Sequence, residues 1–306
     1  MAVLDRAIVR LLPAVPKPVV QRLSSRYIAG STIDDAMRVV GRLNAKGKLA
    51  TIDVLGEETA NADEARAIAG QYHDVLARLD EEQLDANVSI KLTGFGLELD
   101  KALCRSLVEA LVEDAATRGI FVRIDMEDSS TTDDTLDLYR ALRGAGRDNV
   151  GIVLQAALRR TLDDIATLAD LLPNVRLCKG IYVEHPSVAF QEPDVIRRSF
   201  VACLDALLAE GCRVAIATHD EWLLGRALER VTGLAEGAYE LQMLLGVRAG
   251  RGRELVAAGH PLRVYVPYGL QWYEYSLRRL QENPKVAGYV ARDVVGRIVP
   301  GRGEGA

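Results

Sequence analysis

Histidine, cysteine and uninterrupted apolar sequence are all scarce in this chain, and each scarcity removes a class of function. The four histidines (His73, His185, His219 and His260) never fall at metal-ligating spacing, which counts against a binuclear metallohydrolase and leaves no metal expected. The four cysteines (Cys104, Cys178, Cys203 and Cys212) form no CxxC pair and sit in apolar or strand-like surroundings. They read as reduced thiols of a cytoplasmic protein. No run of 18 apolar residues occurs, so no membrane-spanning helix is expected. Met1 to Leu12 carries charges within its apolar pattern and lacks a signal-peptide cleavage site. Basic tracts are missing as well, and with a formal net charge of −5 nucleic acid is not an expected partner. Gly94-Phe95-Gly96 lacks the third glycine and following acid of a dinucleotide fingerprint, and there is no P-loop sequence.

What the chain does contain is regular alternation. Residues 1–45 read as helices that pack on the body of the protein: one over Val19–Tyr27, opened by Pro18, and one after Ser31-Thr32 with Asp34 and Asp35 in its first turn. Strand-like runs follow at 49–56, 87–94, 121–128, 150–156, 175–182, 213–219, 239–246 and 262–267. Helical patterns fill 60–78, 102–118, 132–143, 160–171, 195–209 and 221–230, with a short one near 252–258. Strands alternating with helices at this length predict a closed (βα)8 barrel over residues 46–306, in preference to an open doubly wound sheet.

Strand parity then selects the residues that face the barrel interior. With Val88, Ile90 and Leu92 turned outward, Ser89, Lys91 and Thr93 point in; with Val122, Ile124 and Met126 outward, Arg123, Asp125 and Glu127 point in. The same rule sends Gln155, Arg176, His219, Leu244 and Tyr265 inward. Lys179 has the opposite parity to Arg176, so it joins them only if the strand ends or twists near Gly180. An apolar core would not select such residues, because a buried unpaired charge costs several kcal/mol. Any one of them alone could be structural: Lys91 paired to Asp125, or His219 as a satisfied core histidine. Near the C-terminus, Tyr275, Arg278, Arg279 and Glu282 share one helix face before the stop at Asn283-Pro284. Guanidiniums beside an aromatic ring suit a small carboxylate ligand, although the same face could be solvated and laced with Arg–Glu pairs. With Lys179, Arg278 and Arg279 included, the inward set is net positive, which predicts an anionic ligand. A lysine nucleophile at Lys91 or Lys179, or a non-catalytic ligand-binding barrel, is an alternative on these residues alone.

Several stretches together resemble the proline dehydrogenases: Ile90-Lys91-Leu92, Ile124-Asp125-Met126-Glu127, Val153-Leu154-Gln155-Ala156, Arg176-Leu177-Cys178-Lys179-Gly180-Ile181-Tyr182, Ala217-Thr218-His219, Leu241-Gln242-Met243-Leu244 and Tyr275-Ser276-Leu277-Arg278-Arg279-Leu280-Gln281-Glu282. The resemblance covers roughly residues 45–290 and fits the monofunctional bacterial enzymes. It implies a distorted (βα)8 barrel with the final helix over its mouth. It also implies FAD as cofactor, L-proline as substrate, Δ1-pyrroline-5-carboxylate as product and a membrane quinone as electron acceptor. A separate pyrroline-5-carboxylate dehydrogenase would act downstream, and contact with the inner face of the cytoplasmic membrane would be peripheral. On matching positions, Lys91, Arg278 and Arg279 would hold the proline carboxylate, and Tyr275 would pack over the ring. Leu244 and Tyr265 would complete the pocket, Glu282 would orient the arginines, and Asp125 would support Lys91 and one of the arginines. Gln155, Arg176, Lys179, Thr218 and His219 would contact the flavin, Arg176 near N5. Ala157 departs from the pattern, since many relatives carry an aromatic residue there.

Overall fold

The computed structural model of the chain describes residues 26–57 and 59–273. Eight strands run in parallel and close on themselves in sequence order: β1 (Leu49–Val54), β2 (Ala86–Ile90), β3 (Val122–Ile124), β4 (Val150–Gln155), β5 (Asn174–Cys178), β6 (Arg213–Ala217), β7 (Tyr239–Leu244) and β8 (Leu262–Tyr268). Closure is made by β1, which pairs with β2 on one side and with β8 on the other. Between the strands lie α2 (Ala62–Glu81), α3 (Lys101–Thr117), α4 (Thr132–Gly144), α5 (Thr161–Leu168), α6 (Pro193–Ala209), α7 (Glu221–Val231) and α8 (Ala249–Ala257); α1 (Ile33–Asn44) precedes β1. The helix expected over Val19–Tyr27 and the one carrying Tyr275, Arg278, Arg279 and Glu282 fall almost wholly outside the described residues.

Helix starts follow side-chain caps legible in the sequence. Thr32 accepts a bond from the Asp35 backbone while Asp35 reaches back to the Thr32 backbone, a capping box that starts α1. Asn61, Asp100 and Asp220 cap α2, α3 and α7, and Pro193 opens α6. The α2 face formed by Ala65, Ile68, Ala69, Tyr72, Val75, Leu76 and Leu79 is buried against the barrel. Outward strand residues such as Ile52, Val88, Ile90, Val122, Ile124 and Val214 are fully buried under the helices. Each such side chain contributes roughly 1.5–3 kcal/mol on burial. α1 packs on β1 and β8, across the closing seam.

Seven of the eight strands end earlier than their alternation predicts, and β3, which ends at Ile124, is the most shortened; β8 runs one residue further, to Tyr268. Beyond that point side chains replace ladder partners. Glu127 accepts from both the backbone N–H and the hydroxyl of Thr93, and Gln155 Nε2 donates to the carbonyls of Met126 and Glu127. β5 likewise stops at Cys178, because Gly180 takes a left-handed φ of 101°. A side chain there would come within 2.8 Å of Gln155 Oε1.

Candidate active site

The interior of the barrel is polar in layers. Lowest is Arg123, whose Nη1 donates to the carbonyls of Ile152 and Asn174 and whose Nη2 donates to Asn174 Oδ1. The neighbouring strand makes room with Gly151, where an added Cβ would lie 2.6 Å from Arg123 Nη1. On β7 and β8, Arg263 Nε donates to both oxygens of Glu240 at 2.9 and 3.1 Å.

Above this floor, at the C-terminal ends of the strands, the mouth is built around Asp125. Its Oδ1 accepts from Arg176 Nη1 at 2.5 Å and from Ser89 Oγ at 2.8 Å; its Oδ2 accepts from the Tyr265 hydroxyl at 3.0 Å. Lys91 Nζ donates to Asp53 Oδ1 at 2.9 Å and to the Tyr265 hydroxyl at 3.3 Å. Glu57 and Asp125 lie 3.6 and 3.7 Å from the same ammonium. Tyr72 reaches in from α2, accepting from the Val54 backbone and donating to the Ser89 carbonyl at 2.6 Å, which pins the lower edge of the cluster. The Arg176 guanidinium lies 5.3 Å from the centre of the Tyr265 ring.

Charge sharing sets the protonation of this cluster. Burial works against the charge on Lys91, yet Asp53, Asp125 and Glu57 around it hold its ammonium well above the ordinary lysine value. Burial pushes the fully inaccessible Asp53 carboxyl up, and Lys91 offsets this only in part because it is shared with Asp125 and Glu57. Burial also opposes ionisation of Asp125, but Arg176, Lys91 and the hydroxyls of Ser89 and Tyr265 keep its carboxyl below the usual range. Glu127 is pushed up by burial despite its two bonds from Thr93. A lysine held charged in this way is the opposite of a Schiff-base nucleophile, which needs a lowered value.

The remaining predicted residues ring this cluster. Gln155 braces the end of β3, as described above. His219 lies just past β6, and its Nε2 accepts from the Leu244 backbone at 3.0 Å, which places the ring proton on Nδ1. Leu244 is half-buried at the end of β7. Thr218 Oγ1 accepts from the Asp220 backbone, so its hydroxyl shapes the turn into α7. Lys179 stands at the rim, 43% exposed and 3.4 Å from Asp220, consistent with β5 ending before it. Tyr275, Arg278, Arg279 and Glu282 lie outside the described residues.

Asp53 and Glu57 are not among the residues selected from the sequence, and both add negative charge to the mouth. Among the described residues, Asp53, Glu57, Asp125 and Glu127 face Lys91, Arg176 and Lys179, so the mouth carries no surplus of positive charge there. The signal was available, since Thr51 and Asp53 alternate with Ile52 and Val54 and point inward by the same rule that selects Lys91. Glu240, Gln242 and Arg263 are further inward residues of this kind, in phase with Leu244 and Tyr265.

The sequence profile of the proline dehydrogenase family matches residues 36–292. The chain belongs to that family. Its relatives are oxidoreductases. Proline dehydrogenase 1 of Bacillus subtilis (strain 168) is 37% identical over 272 residues, spanning 88% of this chain and 90% of the relative. Proline dehydrogenase of Deinococcus radiodurans is 33% identical over 279 residues, 89% of this chain and 90% of the relative. Among solved structures, proline utilization A from Bdellovibrio bacteriovorus, inactivated by N-propargylglycine, superposes with a TM-score of 0.80 at 22% identity. The match covers 92% of this chain and 36% of that longer one, and it speaks to the barrel alone. Among the described residues there is no metal-ligating cluster, and no described helix is long and apolar enough to cross a membrane.

Proposed function

We propose that this proline dehydrogenase family member oxidises L-proline to Δ1-pyrroline-5-carboxylate, the first step of proline catabolism, with FAD as the hydride acceptor and a membrane quinone as the final acceptor. The observation that carries this reading is the Lys91–Asp53–Asp125–Arg176–Tyr265 network at the strand ends of a family barrel. The donor set fits a flavin. Arg176 Nη2 is buried without a hydrogen-bond partner among the described residues, and the Lys179 ammonium stands at the rim. Arg176, Gln155, Lys179, Thr218 and His219 would hold the cofactor. When bound, FAD supplies an acceptor for the hydride leaving C5 of proline.

The chain's own residues hold substrate and exclude the wrong proton transfers. Lys91, kept protonated by its three carboxylates, presents a positive charge to the proline carboxylate together with Arg278 and Arg279. Tyr275 is proposed to pack over the ring, Glu282 to orient the arginines, and Leu244 and Tyr265 to close the pocket. The substrate ammonium must lose a proton before C5 can lose hydride. Lys91, held protonated, is a poor acceptor, and against burial Arg176 and Lys91 make Asp125 a weak base; water is proposed to take the proton.

The test is a visible spectrum. FAD-supplemented protein should carry an oxidised flavin band that bleaches on anaerobic addition of proline; no band, or a band that proline leaves unchanged, defeats the proposal. The absence of a dinucleotide fingerprint argues against a nicotinamide acceptor, and quinone is proposed from the family resemblance, with a separate pyrroline-5-carboxylate dehydrogenase taking the product onward. Proline-dependent NADH formation by this chain at the rate of quinone reduction would refute that. Peripheral contact with the inner face of the cytoplasmic membrane belongs to the same proposal, and failure to sediment with vesicles would remove it.

A further inference from the structure

Arg176 must cross the barrel interior to reach Asp125, and the strands around it are built to let it. Its pairing partner on β6 is Ala215, and Ala217 follows in the same phase, so at and above the level of Arg176 β6 presents only methyl groups between β5 and β7. Through that gap Arg176 Nε meets Gln242 Oε1 on β7 at 2.6 Å. Gln242 Nε2 in turn donates to Glu240 Oε1 at 2.5 Å, and Glu240 is clasped by Arg263, whose Nη1 is tied to the Ala50 carbonyl at 2.7 Å. All four side chains belong to residues less than a tenth exposed.

The chemistry of the chain fixes its direction. Arg263 and Arg176 can only donate, and ionised Glu240 can only accept. Burial opposes that ionisation, but Arg263 and the bond from Gln242 hold the Glu240 carboxyl below its ordinary value. Between an acceptor-only carboxylate and a donor-only guanidinium, an amide fits both sides in one orientation, with nitrogen toward Glu240 and oxygen toward Arg176. A glutamate at this position would face Glu240 across 2.5 Å with like charge, and a lysine would face Arg176. With Nε held by Gln242 and Nη1 held by Ser89 and Asp125, the guanidinium plane is set at two corners. Nη2 is then the edge left for a ligand.

We propose that Gln242 and Glu240 are positioning residues: they act through Arg176, fixing its guanidinium so that Nη2 is presented to the flavin. This rests on the flavin reading above. The test compares Gln242→Met with Asn174→Ala, which removes a floor bond to Arg123 and touches nothing on Arg176. Both should lower the melting temperature. Only Gln242→Met should shift the absorption band of bound flavin and slow its reduction by saturating proline, by about tenfold if one hydrogen bond to a charged group is lost. If Gln242→Met does not fold, Glu240→Gln carries the same test. It keeps the volume and the Gln242 side chain, and should move band and rate in the same direction by a smaller factor. A Gln242 or Glu240 variant that behaves like Asn174→Ala, melting lower with band and reduction rate unmoved, overturns the proposal and makes the chain a packing device. Wild-type protein without a proline-bleachable flavin would instead break the functional reading itself, so the two failures are distinguishable.

Discussion

The floor and the mouth of this barrel are made from the same residue types and are wired differently. On the floor, half of the hydrogen bonds of Arg123 and Arg263 go to backbone carbonyls (Ile152, Asn174, Ala50), which cannot leave without unfolding a strand. At the mouth, Arg176 and Lys91 are held by side chains: Gln242, Ser89, Asp125, Asp53 and the Tyr265 hydroxyl. Side-chain partners can turn where a strand carbonyl cannot; an unclaimed donor by itself does not separate the layers, since among the described residues Arg123 Nε on the floor lacks a partner as Arg176 Nη2 does at the mouth. A buried arginine is therefore structural or functional according to what its donors meet, not according to how deeply it lies.

The sharpest way to break this comparison is to remove one arginine from each layer. Arg263→Met strands the buried Glu240 carboxylate and should cost about 3–5 kcal/mol of stability, read from the urea midpoint. Arg176→Met leaves Asp125 with Lys91, Ser89 and Tyr265, so it should cost clearly less stability while lowering proline-dependent flavin reduction or flavin content far more than the floor variant does. Equal stability losses in the two would erase the distinction. The next largest effect is expected at Arg278 and Arg279, which lie outside the described residues. Replacing either with Met should raise half-saturation for proline by about one to two orders of magnitude, with flavin content changed less. Unchanged values would remove the pair from the proposed site.

A smaller effect sharpens the comparison through pH. Asp125 and Glu240 both have folded-state values below their unfolded ones. Each therefore contributes stability that is present above about pH 4 and is lost as the pH falls through the folded value. Asp53 works in the opposite sense: its raised carboxyl favours folding when protonated, a contribution lost as the pH rises through its folded value. Glu240→Gln should flatten the acid limb of a stability–pH curve measured below about pH 4. A limb as steep as wild type would mean Glu240 titrates alike folded and unfolded. Smallest of all, Thr32→Ala removes the cap of α1 and should cost about 1 kcal/mol without altering flavin chemistry. A change in the flavin band in that variant would show that the seam helix communicates with the mouth.

Much of this was legible in the sequence for a simple reason: a parallel barrel forces period-two alternation, and an ionisable residue in the inward phase has few structural excuses. Lys91, Asp125, Arg176 and Tyr265 were found that way and do converge. Pairing was legible only in part. Lys91 does lie beside Asp125 as expected, at 3.7 Å, but its nearest carboxylate is Asp53, because the stagger of β1 on β2 sets Asp53 opposite Ser89 and below Lys91. Strand ends were not legible either. Thr93 and Glu127 continue the alternation perfectly while bonding to each other instead of to the ladder. Glu240 and Gln242 escaped because Leu244, in the same phase, made β7 look apolar where the site was sought.

The seam between β1 and β8 has a consequence in time. Arg263 and its acceptor at Ala50 are 213 positions apart, so the barrel cannot close until almost every described residue has been synthesised. At translation rates of roughly 5–20 residues per second, β1 waits on the order of 10–40 s for its second neighbour. During that interval the unfinished sheet has two open edges, and Asp53 and Lys91 face water instead of a closed interior. The Asp53 charge on the waiting edge strand β1, costly once enclosed, discourages that edge from pairing with another nascent chain. A carboxylate that serves the mouth of the closed barrel is thus also an inward-pointing charge on an open sheet edge, a feature that opposes edge-to-edge pairing before any ligand is bound.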